Sequence, residues 1–451
     1  MKKILLCITA IILCLAATIC LTSCGDDDHD HDHDYDHIHG TPAEGEYSEG
    51  LAFKLNEDKN GYIMTGIGEN MDKGIVVPKE YKGLPVVGIG ANAFKDRVKV
   101  ETIKLPDTLT SISDYAFNGC KVITTIDIPD GVVSIGNAAF YNCVKLENVT
   151  IPSSVTKVGA YAFAGCSSLK KITVPDTVNS IGDGAFSACP ALTEVKLPKD
   201  LTKISNTLFE GCTSLKTLTI PSKVTTIGQG AFMNCKLLTT LDVPNTVTFI
   251  GDNAFVGCEK LEADTLNGIS YIGNWVIKCD STIALAAIRT GTVGIVGGAF
   301  LDCDNIQMLI IPATVKYIGG RAFAGCTSLE TVGIPEGITE LNMATFAGCT
   351  SLKNIVLPST LERICSGAFQ GCSSLTSITI PKNVKAIDDL AFQGCTSLSK
   401  VRFEDTESWW VTEEDSDDSE KISVDVSDEE ANVESLTNTK MLLLWRRGKK
   451  S

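Results

Sequence analysis

The sequence predicts a repeat solenoid, a coil of stacked units with a parallel β-sheet along one side. Thirteen of the sixteen phenylalanines recur with a 23-residue period, and proline keeps the same interval. A fixed period of this length, roughly 20 to 29 residues, is typical of architectures in which each unit buries its apolar face only against its neighbours. The phenylalanines that follow the period are Phe94, Phe117, Phe140, Phe163, Phe186, Phe209, Phe232, Phe255, Phe300, Phe323, Phe346, Phe369 and Phe392.

One unit shows the physical basis of the pattern. In residues 215–228, LKTLTIPSKVTTIG, the alternating TLTI stretch indicates a short strand with one buried face, which has to pair with the same strand of the next unit. Pro221 ends that strand because proline cannot donate to a ladder. Val224 and Ile227 are expected to turn inward. The following IGxxAF segment, ending at Phe232, then crosses the opposite side.

The L-x-x-[IV]-x-[ILV]-P pattern at this period is the signature of leucine-rich repeats. It predicts a horseshoe with the parallel β-sheet on the concave face and irregular or short helical structure on the convex side. The glycine that follows isoleucine or valine in many units is expected to adopt a backbone conformation that is costly for other residues. These glycines are Gly136, Gly159, Gly182, Gly228, Gly251 and Gly319.

Residues 1–23 have the form of a signal peptide, with Lys2 and Lys3 before an apolar run and small residues at its end. The closing LTSC resembles the lipobox of bacterial lipoproteins. That resemblance implies cleavage before Cys24 and acylation of its thiol and new amino group. The alternative is an uncleaved transmembrane anchor, because the apolar run is just long enough to span a bilayer. Both alternatives place the bulk of the chain outside the cytoplasm.

Residues 24–49 contain a run, GDDDHDHDHDYDHIHG, that is too polar to bury a core. The simplest interpretation is a hydrated acidic tether. The alternative is metal capture, because imidazoles interleaved with carboxylates suit Zn²⁺ or Ni²⁺. The formal net charge of −16 argues against nucleic acid as a partner, and against anionic lipid except through the anchor. All five histidines lie in this run: His29, His31, His33, His37 and His39.

Units such as IGNAAFYNCVKLENVTIPSSVTKVG, residues 135–159, resemble the BspA-like leucine-rich repeats of bacterial surface proteins. The resemblance covers roughly residues 50–451. It implies an N-terminal β cap at 50–73, a solenoid of about 14 units at 74–398 and a C-terminal cap at 399–451. In the C-terminal cap, three tryptophans are expected to pack over the last coil: Trp409, Trp410 and Trp445.

The repeat loses its phase once. Phe255 and Phe300 are 45 residues apart, and the unit between them replaces the AF pair with Trp275-Val276 and lacks the proline. This unit is either a structural irregularity, such as a bend, or a site at which Trp275 is exposed for binding.

Thirteen cysteines occupy one position of the repeat. Their number is odd, and identical positions on stacked coils present parallel side chains, which is poor geometry for disulfides. The repeat region contains no histidine to act as a base and no CxxC pair for zinc. We expect small buried side chains here, and a more reactive thiol at Cys365, outside the column. The column is Cys120, Cys143, Cys166, Cys189, Cys212, Cys235, Cys258, Cys279, Cys303, Cys326, Cys349, Cys372 and Cys395.

The outward residues of the predicted sheet are the candidate interaction surface. In the first half they form a mixed threonine and charged ladder that includes Thr173 and Thr219. In the second half Met308, Ile310 and Val356 would place apolar groups in water, and exposed apolar patches often indicate binding sites. The alternative is that a bend at the irregular unit covers them.

The BspA-like resemblance implies adhesion, so the predicted function is a non-enzymatic lipoprotein of the cell surface, on the outer membrane. Its partners would be extracellular proteins of a host, other microbes or a matrix. The first alternative is metal capture by the histidine-rich tether. A carbohydrate-active enzyme is a weaker one, because no carboxylate pair repeats or stands in a recognisable motif. A phosphate-binding glycine loop and a nucleophile elbow are also missing from the sequence.

Overall fold

The computed structural model describes residues 47–68, 73–406, 409–413, 422–437 and 443–447. These residues form a β-solenoid of about 15 turns, as the 23-residue period predicts. The single helix among them is the seven-residue segment Ala431–Thr437. The predicted signal peptide, Cys24 and the five histidines lie outside the described residues.

A first ladder runs along one side of the solenoid, with one strand of three or four residues from each regular coil. The strands pair in parallel in groups of two or four, and in most of them the outer residues are exposed while the central one points into the core. This confirms the predicted parallel sheet. The strands are Gly74–Val76, Thr102–Lys104, Thr125–Asp127, Asn148–Thr150, Lys171–Thr173, Glu194–Lys196, Thr217–Thr219, Thr240–Asp242, Leu285–Ala287, Met308–Ile310, Thr331–Gly333, Asn354–Val356, Ser377–Ile380 and Lys400–Phe403.

A second ladder of two-residue strands, which the sequence pattern did not predict, follows the proline turn. Its strands also pair in parallel, and the isoleucine, leucine or valine that ends each one is buried, as at Ile227. They are Ser111–Ile112, Ser134–Ile135, Lys157–Val158, Ser180–Ile181, Lys203–Ile204, Thr226–Ile227, Phe249–Ile250, Gly294–Ile295, Tyr317–Ile318, Glu340–Leu341, Arg363–Ile364 and Ala386–Ile387.

The IGxxAF segment forms turns instead of a helix. Its backbone groups bond to the next coil: the Phe117 amide donates to the Ala139 carbonyl at 2.7 Å, and the Gly119 amide donates to the Tyr141 carbonyl at 2.8 Å. Tyr115, with φ of 58°, is one of the residues in the left-handed region that make this turn. This side of the coil is therefore irregular, which is one of the two forms that the sequence predicts for it. All three sides of a coil are hydrogen-bonded to neighbouring coils.

The phenylalanines form two stacks inside the coil. Successive ring centroids are 5.0–5.9 Å apart from Phe94 to Phe255, and 5.1–5.8 Å apart from Phe300 to Phe392. The rings are close to parallel at most steps. Each ring is thus covered by the coil before it and the coil after it, which is how one coil shields the core of the next.

The irregular unit separates the two stacks. It contains three antiparallel strands, Asp264–Leu266, Ile269–Ile272 and Trp275–Cys279, and the last of these pairs in parallel with Gly294–Ile295. The second-ladder strands from Lys203–Ile204 to Phe249–Ile250 therefore belong to a different sheet from the strands that follow the unit. We call residues 249–320 the junction.

Both ends of the described solenoid carry antiparallel strands. At the start, Ala52–Leu55 pairs with Tyr62–Gly66, which pairs in parallel with Leu84–Ile89; Glu80–Tyr81 also pairs with that last strand. At the end, Trp409–Glu413 lies between Ile422–Val424 and Leu443–Arg447, and Leu443–Arg447 continues the second ladder. Trp409 and Trp445 are buried against Phe403, with ring centroids 5.0 and 6.1 Å from it.

The glycines of the Ile-Gly pairs are explained by close packing and not by an unusual backbone conformation. None of them has a φ in the left-handed region. Instead, a Cβ at Gly182 would lie 2.3 Å from the amide nitrogen of Ala160 in the preceding coil, and the other five meet backbone at 2.3–2.5 Å. The expectation of a costly conformation was therefore wrong, because these positions are limited by the distance between coils.

A Gly182→Ala substitution should lower the thermal midpoint, because the added methyl group must push two hydrogen-bonded coils apart. Overpacking of this kind costs about 1–3 kcal/mol. Gly333→Ala is the matched control, because a Cβ at that strand position meets nothing within 4 Å; its effect should stay within about 0.5 kcal/mol. Circular dichroism melting of both variants checks this. Equal midpoints would show that the coils are not in tight contact at Gly182.

Candidate interaction surface

Trp275 is buried, so the hypothesis that it is an exposed binding residue is wrong. Only 1% of its surface is exposed. Its ring lies 5.9 Å from that of Tyr317, and a Cβ at Gly294 would come within 2.3 Å of Trp275 Cζ3. The indole thus fills the core of the irregular coil, in the space that the missing side chain of Gly294 leaves open. The structural interpretation of the phase break is the correct one.

Asp252 connects the two halves across the junction. The Gly320 amide donates to its Oδ1 at 3.1 Å, although the two residues are 68 positions apart. A Cβ at Gly297 would lie 2.1 Å from the same oxygen, so glycine is needed there too. Burial raises the pKa of Asp252, while the Gly320 amide and the charge of Arg321 lower it. Asp252 is therefore a partly buried structural carboxylate that holds together coils on the two sides of the irregular unit.

An apolar patch lies on the first ladder directly after the junction. On its first two strands, Leu285 pairs with Met308 and Ala287 pairs with Ile310. On the following two strands, Gly333 pairs with Val356. We define the apolar patch as Leu285, Ala287, Met308, Ile310, Gly333 and Val356.

The members of this patch that the sequence singled out are exposed. Met308 is 52%, Ile310 51% and Val356 69% exposed, and Leu285, which the sequence did not single out, is 56% exposed. Gly333 leaves a gap between Ile310 and Val356, since a Cβ there would touch nothing. The alternative that a bend covers these residues is therefore wrong. One row of four neighbouring strands presents only apolar or small groups, over roughly 14 Å at the usual spacing between strands.

The first half of the same ladder is polar. Thr173 and Thr219 are exposed, as expected, and their row also contains charged residues such as Lys196 and Asp242. Lys171 and Glu194, which are opposite each other on adjacent strands, form an ion pair at 2.6 Å. Threonine and charged side chains in such a row are well hydrated. The first half of the ladder therefore differs from the apolar patch.

The column cysteines point inward, as predicted. All of them are buried except Cys258, which is half-buried. Burial raises the pKa of Cys120 to about 12 and that of Cys326 to about 12, so these thiols stay protonated near neutral pH. Cys365, outside the column, is partly exposed, and burial raises its pKa to about 11. Its accessibility agrees with the expectation of a more reactive thiol, while its raised pKa makes it a slow nucleophile at pH 7.

The described residues contain no group of three or more His, Cys, Asp or Glu side chains that could hold a metal ion. The metal hypothesis concerns His29, His31, His33, His37 and His39, which lie outside them. Within the same described ranges, no helix has the length and apolar character needed to cross a membrane.

The chain belongs to the BspA-type leucine-rich-repeat family. The model of the BspA type leucine rich repeat region matches residues 87–216, 181–290 and 293–409. These matches span the solenoid on both sides of the junction. The family assignment that the repeat residues indicated is thereby confirmed. None of the curated proteins compared with the chain is significantly similar to it.

Three of the similar solved structures are of bacterial leucine-rich repeat proteins. A leucine-rich repeat protein from Bacteroides ovatus is 30% identical, with a TM-score of 0.50, over 78% of this chain and 87% of that one. A leucine rich cell surface protein from Faecalibacterium prausnitzii is 32% identical, with a TM-score of 0.46, over 80% and 94%. The leucine rich repeat protein of T. pallidum is 31% identical, with a TM-score of 0.40, over 49% and 90%.

Two members of the patch, Leu285 and Ala287, were missed by sequence reasoning. Their strand belongs to the unit that lacks the proline, so the strand pattern that marks the regular units does not mark this one. The signal that could have found them is the ALAA stretch 23 residues before the Met308 strand. Counting backwards from Ile310 places Ala287 in the same outward row.

Proposed function

We propose that this protein is a non-enzymatic protein of the bacterial cell surface that binds another protein through the apolar patch. The observation that carries the proposal is the row of exposed apolar and small residues across four neighbouring strands. Covering such a surface is favourable by roughly 25 cal/mol for each Å² of apolar area removed from water. Membership in the BspA-type leucine-rich-repeat family, whose repeats resemble those of bacterial surface proteins, supports the same proposal.

The partner that fits this surface is an extracellular protein of a host, another microbe or a matrix, with apolar side chains in its contact region. The acidic chain, with its net charge of −16, favours partners whose contact region has a basic rim, because opposite charges speed the encounter. The four strands that carry the patch are hydrogen-bonded into one sheet, so little ordering is needed on binding.

Ile310→Lys and Val356→Lys should each weaken partner binding at least tenfold, because a lysine in an apolar contact must lose water without gaining a partner. The measurement is biolayer interferometry against a panel of host, microbial and matrix proteins, followed by titration of those that bind. Thr150→Lys is the matched control, because it places the same charge at an exposed outward position in the first half of the ladder.

Two further variants separate the patch from the rest of the sheet. Thr173→Lys and Thr219→Lys test the polar half and should leave binding unchanged. If these two weaken binding and the patch variants do not, the binding surface is the polar half of the ladder. If all four variants bind like the unsubstituted protein, the first ladder is not the binding surface.

We also propose that acylated Cys24 anchors the protein to the outer membrane, with the solenoid outside the cell. This rests on the lipobox-like LTSC at residues 21–24. Two or more acyl chains on one cysteine hold a protein stably on a membrane, whereas a single chain gives only marginal binding.

Cys24→Ala should abolish incorporation of labelled palmitate and prevent cleavage, because both depend on the thiol. In intact cells, protease should degrade the solenoid of the unsubstituted protein. Ser23→Thr is the control for a change at the same site that keeps the cysteine. Palmitate labelling that persists in the Cys24→Ala variant would rule out this anchor.

A further inference from the structure

Two cysteines at the junction depart from the arrangement that every other member of the column keeps. In the other eleven, the thiol donates to the carbonyl oxygen of the phenylalanine 26 residues earlier, at 3.1–3.3 Å. The Cys303 thiol instead lies 3.9 Å from the carbonyl oxygen of Cys279. The Cys279 thiol contacts the carbonyl oxygen of Asp280, at 3.4 Å.

The cause is the loss of the repeat at this unit. The residue 26 positions before Cys303 is Ile277, which lies in the strand Trp275–Cys279 and not in a turn with a phenylalanine. Cys279 ends that strand opposite Ile269, whereas the regular column cysteines follow turns. The two residues are also 24 positions apart instead of 23. The argument that parallel side chains disfavour a disulfide therefore does not apply to this pair.

The two thiols influence each other directly. The Cys303 side chain raises the pKa of Cys279, and the Cys279 side chain lowers the pKa of Cys303. The pKa of Cys303 is raised by the negative charges of Asp280, Asp302 and Asp304, but the lowering by Cys279 is larger. By contrast, burial is the main influence on Cys326, the next member of the column.

We propose that Cys279 and Cys303 form a disulfide that fastens the irregular coil to the coil after it. The oxidant is a disulfide, either a small molecule or a disulfide-donating protein. The Cys303 thiolate attacks one sulfur of that disulfide and releases the first thiolate. Cys279 then loses its proton, attacks the mixed disulfide at Cys303 and releases the second. Two protein thiols are oxidised and one disulfide is reduced to two thiols.

Such a bond would lie at the break in the phenylalanine stack, which ends at Phe255 and resumes at Phe300. It would add a covalent link to the parallel pairing that already joins the irregular coil to the next one. A bond that closes one coil restricts the unfolded chain and so favours the folded junction. Both thiols are buried, so the oxidant reaches them during folding or when the irregular coil opens locally. Disulfides persist outside the cytoplasm, which agrees with the proposed location, although the pairing does not depend on it.

The experiment is refolding of the full chain in a mixture of reduced and oxidised glutathione, followed by blocking with N-ethylmaleimide in denaturant, digestion and mass spectrometry. We expect a peptide pair joined through Cys279 and Cys303, and the maleimide on the other cysteines of the described solenoid. Reduction with dithiothreitol should remove the joined pair and lower the thermal midpoint.

Two variants complete the test. Cys303→Ala should abolish the joined pair and the effect of dithiothreitol on the midpoint, and Cys326→Ala, at the regular column position of the next coil, should change neither. Because a variant can fail to fold, the peptide map of the unsubstituted protein decides by itself. Maleimide on both Cys279 and Cys303 after oxidative refolding, or predominant pairing of either with another cysteine, would overturn the proposal.

Discussion

Each coil of the solenoid can bury its apolar side chains only against the coils before and after it. One phenylalanine ring covers the next at 5.0–5.9 Å, and three sides of every regular coil are bonded to neighbouring coils. This constraint favours a constant 23-residue period, because each unit then places its three sides against the same sides of the next unit. It also explains why Phe, Cys and Gly recur at fixed positions: each of them serves contacts between coils, whereas Pro ends the strand within its own coil. Residues that can differ from coil to coil are therefore those that face water.

The junction shows how a break in the period is accommodated. The indole of Trp275 fills the core in place of a phenylalanine, beside Gly294, and Asp252 reaches Gly320 across the unit. The polar contact is costly to bury and holds only because a backbone amide satisfies it. The interruption also affects neighbouring positions. It removes two column thiols from the hydrogen bond that the other column cysteines make, and it precedes the strands that carry the apolar patch.

Much of the fold could be predicted from the sequence, because a repeated pattern multiplies a weak signal. The parallel ladder, the inward Val224 and Ile227, the buried cysteines and the outward Met308, Ile310 and Val356 all follow from one register. The second ladder could not be predicted, since two-residue strands leave no alternation to detect. The close approach at Gly182 was also missed, because sequence does not distinguish a tight contact from a left-handed conformation.

The candidate site was only partly predictable for a related reason. The sequence left exposure of Trp275 as one of two alternatives because this residue replaces a repeated one. The structure buries the larger ring in the core, where Gly294 on the next coil leaves room for it. Leu285 and Ala287 were missed because the broken unit hides its own register. Predictions from a repeat are thus reliable where the repeat is regular and fail where it is broken. In this protein the break lies next to the surface that we propose binds the partner.

The central claim is that repeated residues build the coil while unrepeated outward residues bind the partner. The most direct measurement places a benzophenone photo-crosslinking residue at position 310 and, in a second protein, at position 150, in the same outward row of the ladder. Each protein is irradiated with surface extracts of host and microbial cells. The account predicts a discrete adduct from position 310 and none from position 150. Equal adducts from both positions, or an adduct from position 150 alone, would contradict it.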